Sequence, residues 1–152
     1  MNHKRPRSVL VLVHSPDRQI LLLERSRFPG FWQSVTGSQE GRERPIDTAV
    51  RELEEETGIR AAASELCDWR LSHRFAIYPQ WRHRYAPGVT HNVEHVLSIR
   101  VPVDTPVRLA PDEHRAWRWL PWRQAAREVF SWSNRAAILM LVQRPSVCPY
   151  GG

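Results

Sequence analysis

Val and Leu crowd the segment Arg7–His14, and the run stops at Ser15-Pro16-Asp17-Arg18, a sequence suited to a turn. Apolar positions resume over Ile20–Glu24, so the two segments predict a hairpin or two neighbouring strands. Phe28-Pro29-Gly30 breaks the chain before a third strand over Phe31–Thr36. The spacing then turns helical. Ile46, Ala49, Val50 and Leu53 share one face, after a Pro45 whose missing N–H costs nothing in a first turn. Gly58 ends that helix as a C′ residue. Segments 66–78 and 92–102 carry β-branched and aromatic residues and predict strands paired across loop 79–91. Ala116–Leu120 predicts another strand, Pro121 opens a helix to about Val129, and Ser133 or Asn134 caps a last helix to about Gln143. The tail Arg144–Gly152, with two prolines and two terminal glycines, reads as a flexible end. Mixed β and α in this order, with few βαβ crossovers, argues for α+β or an α/β/α sandwich around a mixed sheet.

Composition narrows the class without naming a chemistry. With 152 residues, 41% hydrophobic and 25% charged, the chain is expected to form one globular domain over 1–152. No apolar run approaches the ~20 residues of a membrane span. Val9–Val13 is followed closely by Asp17 and Arg18, which reads as a strand rather than a signal peptide, and a cytoplasmic location is expected. Cys67 and Cys148 match no metal or redox spacing and read as two free thiols. A net charge of +6 favours anionic partners. Charge alone does not say whether the partner is nucleic acid or a small phosphorylated molecule; the arginines are spread along the chain with no lysine-rich tail or RNA-binding signature, so they read as a generally basic surface, with a polyanion-binding groove for nucleic acid as the lesser reading.

The most informative stretch is residues 37–59, where a glycine-led loop runs into a helix bearing Glu52, Glu54, Glu55 and Glu56. Carboxylates this dense repel one another unless something positive sits among them. Divalent metal ions gathered by oxygen ligands would do so, and such ions serve phosphate chemistry. Glu52 lies three and four residues from Glu55 and Glu56, which puts these three on one side of the helix. Glu54 points elsewhere, into solvent. Arg51 is able to lock a neighbouring carboxylate by charge-assisted hydrogen bonds.

These residues resemble the Nudix box, G-x5-E-x7-R-E-U-x-E-E-x-G-U, with U a bulky aliphatic. Gly37, Glu43, Arg51, Glu52, Leu53, Glu55, Glu56, Gly58 and Ile59 fill every specified place. At an unspecified place Arg42 stands where many members have Gly, with Gly41 one earlier. The resemblance implies a Nudix-type α/β/α sandwich. It also implies hydrolysis of a phosphoanhydride with Mg²⁺, or with Mn²⁺ as an alternative. Glu52 and Glu56 would be the principal metal ligands and Glu55 would assist, with Arg51 counted in the catalytic set.

Three longer segments, Phe31–Ser38, Arg82–Thr90 and Trp132–Arg135, are similar to the branch of the family that cleaves a pterin triphosphate in folate synthesis. That similarity implies Glu113 as a further metal ligand. It also implies substrate contacts from Lys4, Arg25, Thr36, Phe75, Ala76, Ile77, Tyr78 and Ser133. Lys4 and Arg25 suit phosphates, Thr36 and Ser133 suit hydrogen bonds, and Phe75 or Tyr78 suits stacking on a flat ring. Bland readings stand beside these: Arg25 as surface charge and Phe75 as core. Loop 82–91 reads either as a phosphate clamp or as an ordinary exposed loop of a basic protein. Trp117, Trp119 and Trp122 read as core and groove wall. Hydrolysis of (d)NTPs, dinucleotides or RNA 5′ ends remains an alternative activity. So does a non-catalytic nucleotide-binding module, although the intact carboxylate set argues against it.

Overall fold

The computed structural model describes residues 2–143; the tail expected to be flexible lies outside the described residues. Seven strands form one sheet. β1 (Arg7–His14) is its centre, parallel to β6 (His91–Arg100) along its whole length. The other ladders are antiparallel: β5 (Cys67–Ala76) on β6, β7 (His114–Pro121) and β3 (Trp32–Gln33) on β2 (Gln19–Arg25), and β4 (Val35–Ser38) on β1. β1 and β2 touch only at His14 and Ile20, so the sheet divides between them and β4 fills the gap.

Both faces of the sheet are covered. Val9, Val11, Val13, Leu21 and Leu23 pack with Ala49 and Leu53 of helix α1 (Pro45–Thr57). Leu10, Leu12, Ile20 and Leu22 pack on the other face with Ala125 of α2 (Trp122–Glu128) and Ala137 and Ile138 of α3 (Trp132–Gln143). Strands buried on two sides need a continuous apolar run rather than an alternating one, which is what these two segments carry. No helix among the described residues is long and apolar enough to cross a membrane.

The expected third strand over Phe31–Thr36 is broken. The backbone N–H of Ser34 donates to Asn134 Oδ1 at 2.8 Å, and Asn134 Nδ2 donates to Ser34 Oγ at 3.0 Å. Ser34 thereby leaves the ladder, and the chain switches partner from β2 to β1 around it. The cap of α3 also differs from expectation: Ser131 Oγ accepts the N–H of Asn134 at 3.2 Å, while the side chain of Asn134 is committed to Ser34. Loop 79–91 contains a 3₁₀ turn over Pro79–Arg84. Cys67 is disulfide-bonded, which corrects the expectation of a free thiol there. Sequence spacing does not reveal which cysteines the fold brings within bonding reach. Cys148 lies outside the described residues.

Candidate active site

Helix α1 is cut to place its acids. Asp47 Oδ2 accepts the backbone N–H of Arg44 at 3.0 Å, Pro45 opens the first turn, and Gly58 closes the last at φ 75°. Leu53 and Ala49 anchor the helix to the sheet, and one turn of drift then carries Glu52 and Glu56 to the buried edge of that face. Glu56 is 1% exposed, and among the described residues its oxygens meet no donor in good hydrogen-bond geometry, although the Thr36 backbone and the Glu52 carboxyl interact with them. Glu55 stands at the exposed rim, and Glu54 points to solvent against Arg60, as expected.

Gly37 explains how Glu52 reaches the cavity. A β-carbon at residue 37 would sit 2.0 Å from Glu52 Cδ, so the carboxylate lies directly over a bare backbone. Arg51 holds the arrangement from behind. Its Nε donates to Glu43 at 2.7 Å, one terminal nitrogen to Glu52 at 2.8 Å and Glu55 at 3.2 Å, and the other to the Ser38 carbonyl at 2.9 Å. The guanidinium holds Glu43 down to about pKa 2. Arg51 does not line the cavity, so its expected place in the catalytic set becomes a positioning role: a fork bound on both edges has no donors left for a ligand.

The cavity of about 1060 Å³ beside these acids is lined by all the other residues expected from the sequence. Glu52, Glu55, Glu56 and Glu113 contribute carboxylates; Lys4 and Arg25 contribute positive charge; Thr36, Phe75, Ala76, Ile77, Tyr78 and Ser133 form walls. Thr36 lines the cavity and donates its hydroxyl to the Val9 carbonyl at 2.9 Å. Glu56, Glu113 and His114 bring ligand atoms within 4.8 Å of one another.

Electrostatics sort the cavity into two like-charged groups. Burial raises the pKa of Glu52 above the usual carboxylate range, against the pull of Arg51. Burial first, then the carboxylates of Glu52 and Glu113, raise Glu56 well above it. His114, 3.7 Å from Glu56, is driven down to about pKa 4 by burial and by Arg25, so it is neutral and does not neutralise its neighbour. On the other side Lys4 is lowered by loss of hydration, then by Arg84 and Arg25. Lys4 is exposed at the cavity mouth, yet the protein around it displaces enough water to produce this effect. Arg25 lies over the rings of Trp81 at 4.8 Å and Phe28 at 5.0 Å, which fixes its plane.

Sequence reasoning missed several lining groups. Of loop 82–91 only Arg84, Tyr85 and their backbone matter here; Lys4 N–H donates to the Arg84 carbonyl at 2.8 Å, tying the N-terminal segment to the loop. The tryptophans of the groove wall are Trp81 and Trp132, not Trp117, Trp119 and Trp122. Those three belong to the β7–α2 segment, which contributes its polar start at His114 to the cavity rather than its rings. Asn92 and Glu94 also line it. Their signal was a polar pair on the same strand parity as Val96, a core position.

This split sheet with an acid-bearing helix defines a known class, and the chain belongs to the Nudix family: the NUDIX domain matches residues 4–141. Among its relatives, dihydroneopterin triphosphate diphosphatase of Escherichia coli is 41% identical over 143 residues, covering 92% of this chain and 94% of that protein. The Haemophilus influenzae protein of the same name is 38% identical over 141 residues, with 91% and 88% covered. The solved structure of the E. coli dihydroneopterin triphosphate pyrophosphohydrolase superposes with a TM-score of 0.86 at 40% identity, covering 94% of this chain and 99% of that one.

Proposed function

We propose that this chain, acting as one domain, hydrolyses dihydroneopterin triphosphate to dihydroneopterin monophosphate and pyrophosphate. The observation that carries the reading is the adjacency of two unsatisfied charge groups in one cavity. Buried carboxylates sit beside a cluster of cations, Lys4, Arg25 and Arg84, that repel each other. Two extensively matched relatives named for that activity support the same substrate.

The acids fit a divalent cation. Glu56 presents two buried oxygens close to ligand atoms of Glu113 and His114, with the Glu52 carboxylate beside them, and a set dominated by carboxylate oxygens favours a hard ion such as Mg²⁺, while the His114 nitrogen also suits Mn²⁺. Glu52, Glu56 and Glu113 would hold it, with Glu55 at the rim. When bound, the cation neutralises phosphate oxygens and makes a coordinated water a better nucleophile.

The remaining work belongs to the chain. Arg51 and Gly37 fix where the Glu52 carboxylate stands. Arg25, its plane set by Trp81, presents an edge to phosphate oxygens, and Lys4 and Arg84 add charge that the triphosphate neutralises. Phe75, Tyr78 and Trp132 supply faces for a flat heterocycle.

The test is a panel of triphosphates with Mg²⁺, scoring both rate and leaving group. Dihydroneopterin triphosphate should be turned over fastest, releasing pyrophosphate. Faster turnover of dATP or of capped RNA, or release of orthophosphate, refutes the assignment. Tight binding with no product would make the chain a nucleotide-binding module.

A further inference from the structure

The carboxylates of the cavity are not all on the acid helix. Glu94 comes from β6, on the sheet face covered by α3, and is only 6% exposed. Ser133, at the start of α3, hydrogen-bonds its side chain, while Glu94 Oε1 has no partner. Two residues earlier on the same face, Asn92 donates from Nδ2 to Ser8 Oγ at 2.8 Å and leaves Oδ1 unpartnered. Both residues line the cavity.

Burying acceptors without donors costs stability, so a ligand that brings N–H groups would offset a penalty already built into the fold. Among the described residues, Glu94 forms no ion pair, and the one side chain that influences its titration is Ser133. Burial lifts its pKa to about 7, with Ser133 as the one opposing influence. The acid helix and its cation site play no part in that environment. The neighbouring wall is aromatic: Trp132 is 55% exposed and meets His73 and Phe75 edge-on, at 5.2 and 6.5 Å between ring centroids. An acceptor beside exposed ring faces suits the edge of a planar, donor-bearing heterocycle.

Heterocycles differ in what that edge offers. Hypoxanthine and uracil present one ring N–H flanked by a carbonyl, which a carboxylate repels. Adenine and cytosine pair an amino group with a ring acceptor. A 2-amino-4-oxopyrimidine ring, as in pterins and guanine, sets an N–H and an amino N–H side by side, matching the two oxygens of one carboxylate. We infer that Glu94 reads this paired-donor edge and thereby determines which heterocyclic triphosphate the cavity accepts. The inference rests on the triphosphate reading above and adds the group that selects the ring.

GTP and ITP differ only in the 2-amino group and isolate the effect from the phosphate chemistry. Wild-type protein and the E94Q and E94D variants would be assayed with Mg²⁺ for kcat/KM on both. A nucleotide turned over too slowly would be scored as its monophosphate, GMP or IMP, competing with the best substrate. Wild type should favour the guanine compound by roughly 10- to 100-fold, the size of one hydrogen bond to a charged group. E94Q should bring the ratio close to one by loss on GTP alone, with the melting point of the ligand-free protein unchanged or higher. E94D, which keeps the charge but withdraws it, should retain part of the preference. A wild-type ratio near one, an unaltered ratio in E94Q, or an equal fall on both nucleotides overturns the inference. Dihydroneopterin triphosphate run alongside separates the two readings: if it loses to dATP the proposed substrate fails, while the guanine-to-hypoxanthine ratio still judges Glu94.

Discussion

Substituting Gly37 by alanine adds one methyl group at the point of closest approach in the site. The new β-carbon would lie 2.0 Å from Glu52 Cδ and 2.2 Å from its Oε1. Ordinary contact begins near 3.4 Å, so the carboxylate must retreat by about 1.4 Å. The backbone of Gly37 is not in the left-handed region, so alanine itself is not strained there. The side chain that moves is the end of a flexible glutamate, and the main structural loss is the 2.8 Å bond from Arg51. A displacement on the order of 1 Å at a catalytic ligand can cost about 100-fold in rate. The variant should therefore lose at least that in kcat and bind Mg²⁺ more weakly, yet unfold within about 1 kcal/mol of wild type. Steady-state pyrophosphate release, metal titration by calorimetry and thermal melting read the three quantities. Full activity at wild-type metal affinity would refute the reading of Gly37 as a seat for Glu52. Global unfolding would show instead that the glycine serves the sheet.

Glu56→Gln removes the ionisable carboxyl from a side chain that is fully enclosed beside Glu52. Turnover should fall at least about 100-fold, with the fold retained by circular dichroism; unchanged turnover would reject a metal role for Glu56. The pH dependence of metal-free stability gives a further check. Glu52 and Glu56 have folded pKa values above the ordinary 4.5, so the folded state holds protons that the unfolded chain releases. Their favourable contribution is complete below the unfolded value and is lost as pH rises through the folded ones. The buried His14 and His114, with pKa values near 4, act with the opposite sign, and Glu94 with the same sign, but all three are common to wild type and E56Q and cancel in the difference between them. In chelator the melting point of wild type relative to that of E56Q should fall as pH rises above the unfolded value of 4.5. Excess Mg²⁺ should reverse the trend, since binding takes the deprotonated acids. A wild-type profile parallel to that of E56Q in chelator would contradict the raised pKa assigned to Glu56.

Local features were legible in the sequence because they are local. The acid helix could be bounded at Pro45 and Gly58 and its faces sorted by spacing, since a helix is specified within a few residues. The fold class followed from the order of periodic segments. What escaped depends on contacts between distant parts. Ser34 leaves its strand because of Asn134, a hundred residues on, and the same commitment moves the α3 cap back to Ser131. Which tryptophans line the groove is decided by the course of loop 79–91 and the entry to α3, neither of which has a period to read. Glu94 was visible only as an acid at core parity, a signal without a partner until Ser133 folds over it.

The cavity's charges also decide how its ligands cooperate. A cation alone would meet Glu52, Glu56 and Glu113 but leave Lys4, Arg25 and Arg84 repelling one another and the new charge. A free triphosphate would meet those cations but lie against the buried carboxylates of Glu52, Glu56 and Glu113. Each ligand therefore removes the electrostatic obstacle to the other, and thermodynamic reciprocity requires the coupling to be equal in both directions. Arg51 contributes to this only by holding its carboxylates at fixed distances, which is why a residue outside the cavity belongs to its function. Glu94 lies apart from that exchange, on another strand with its own partner, so ring selection and metal loading are built on separable parts of the same sheet.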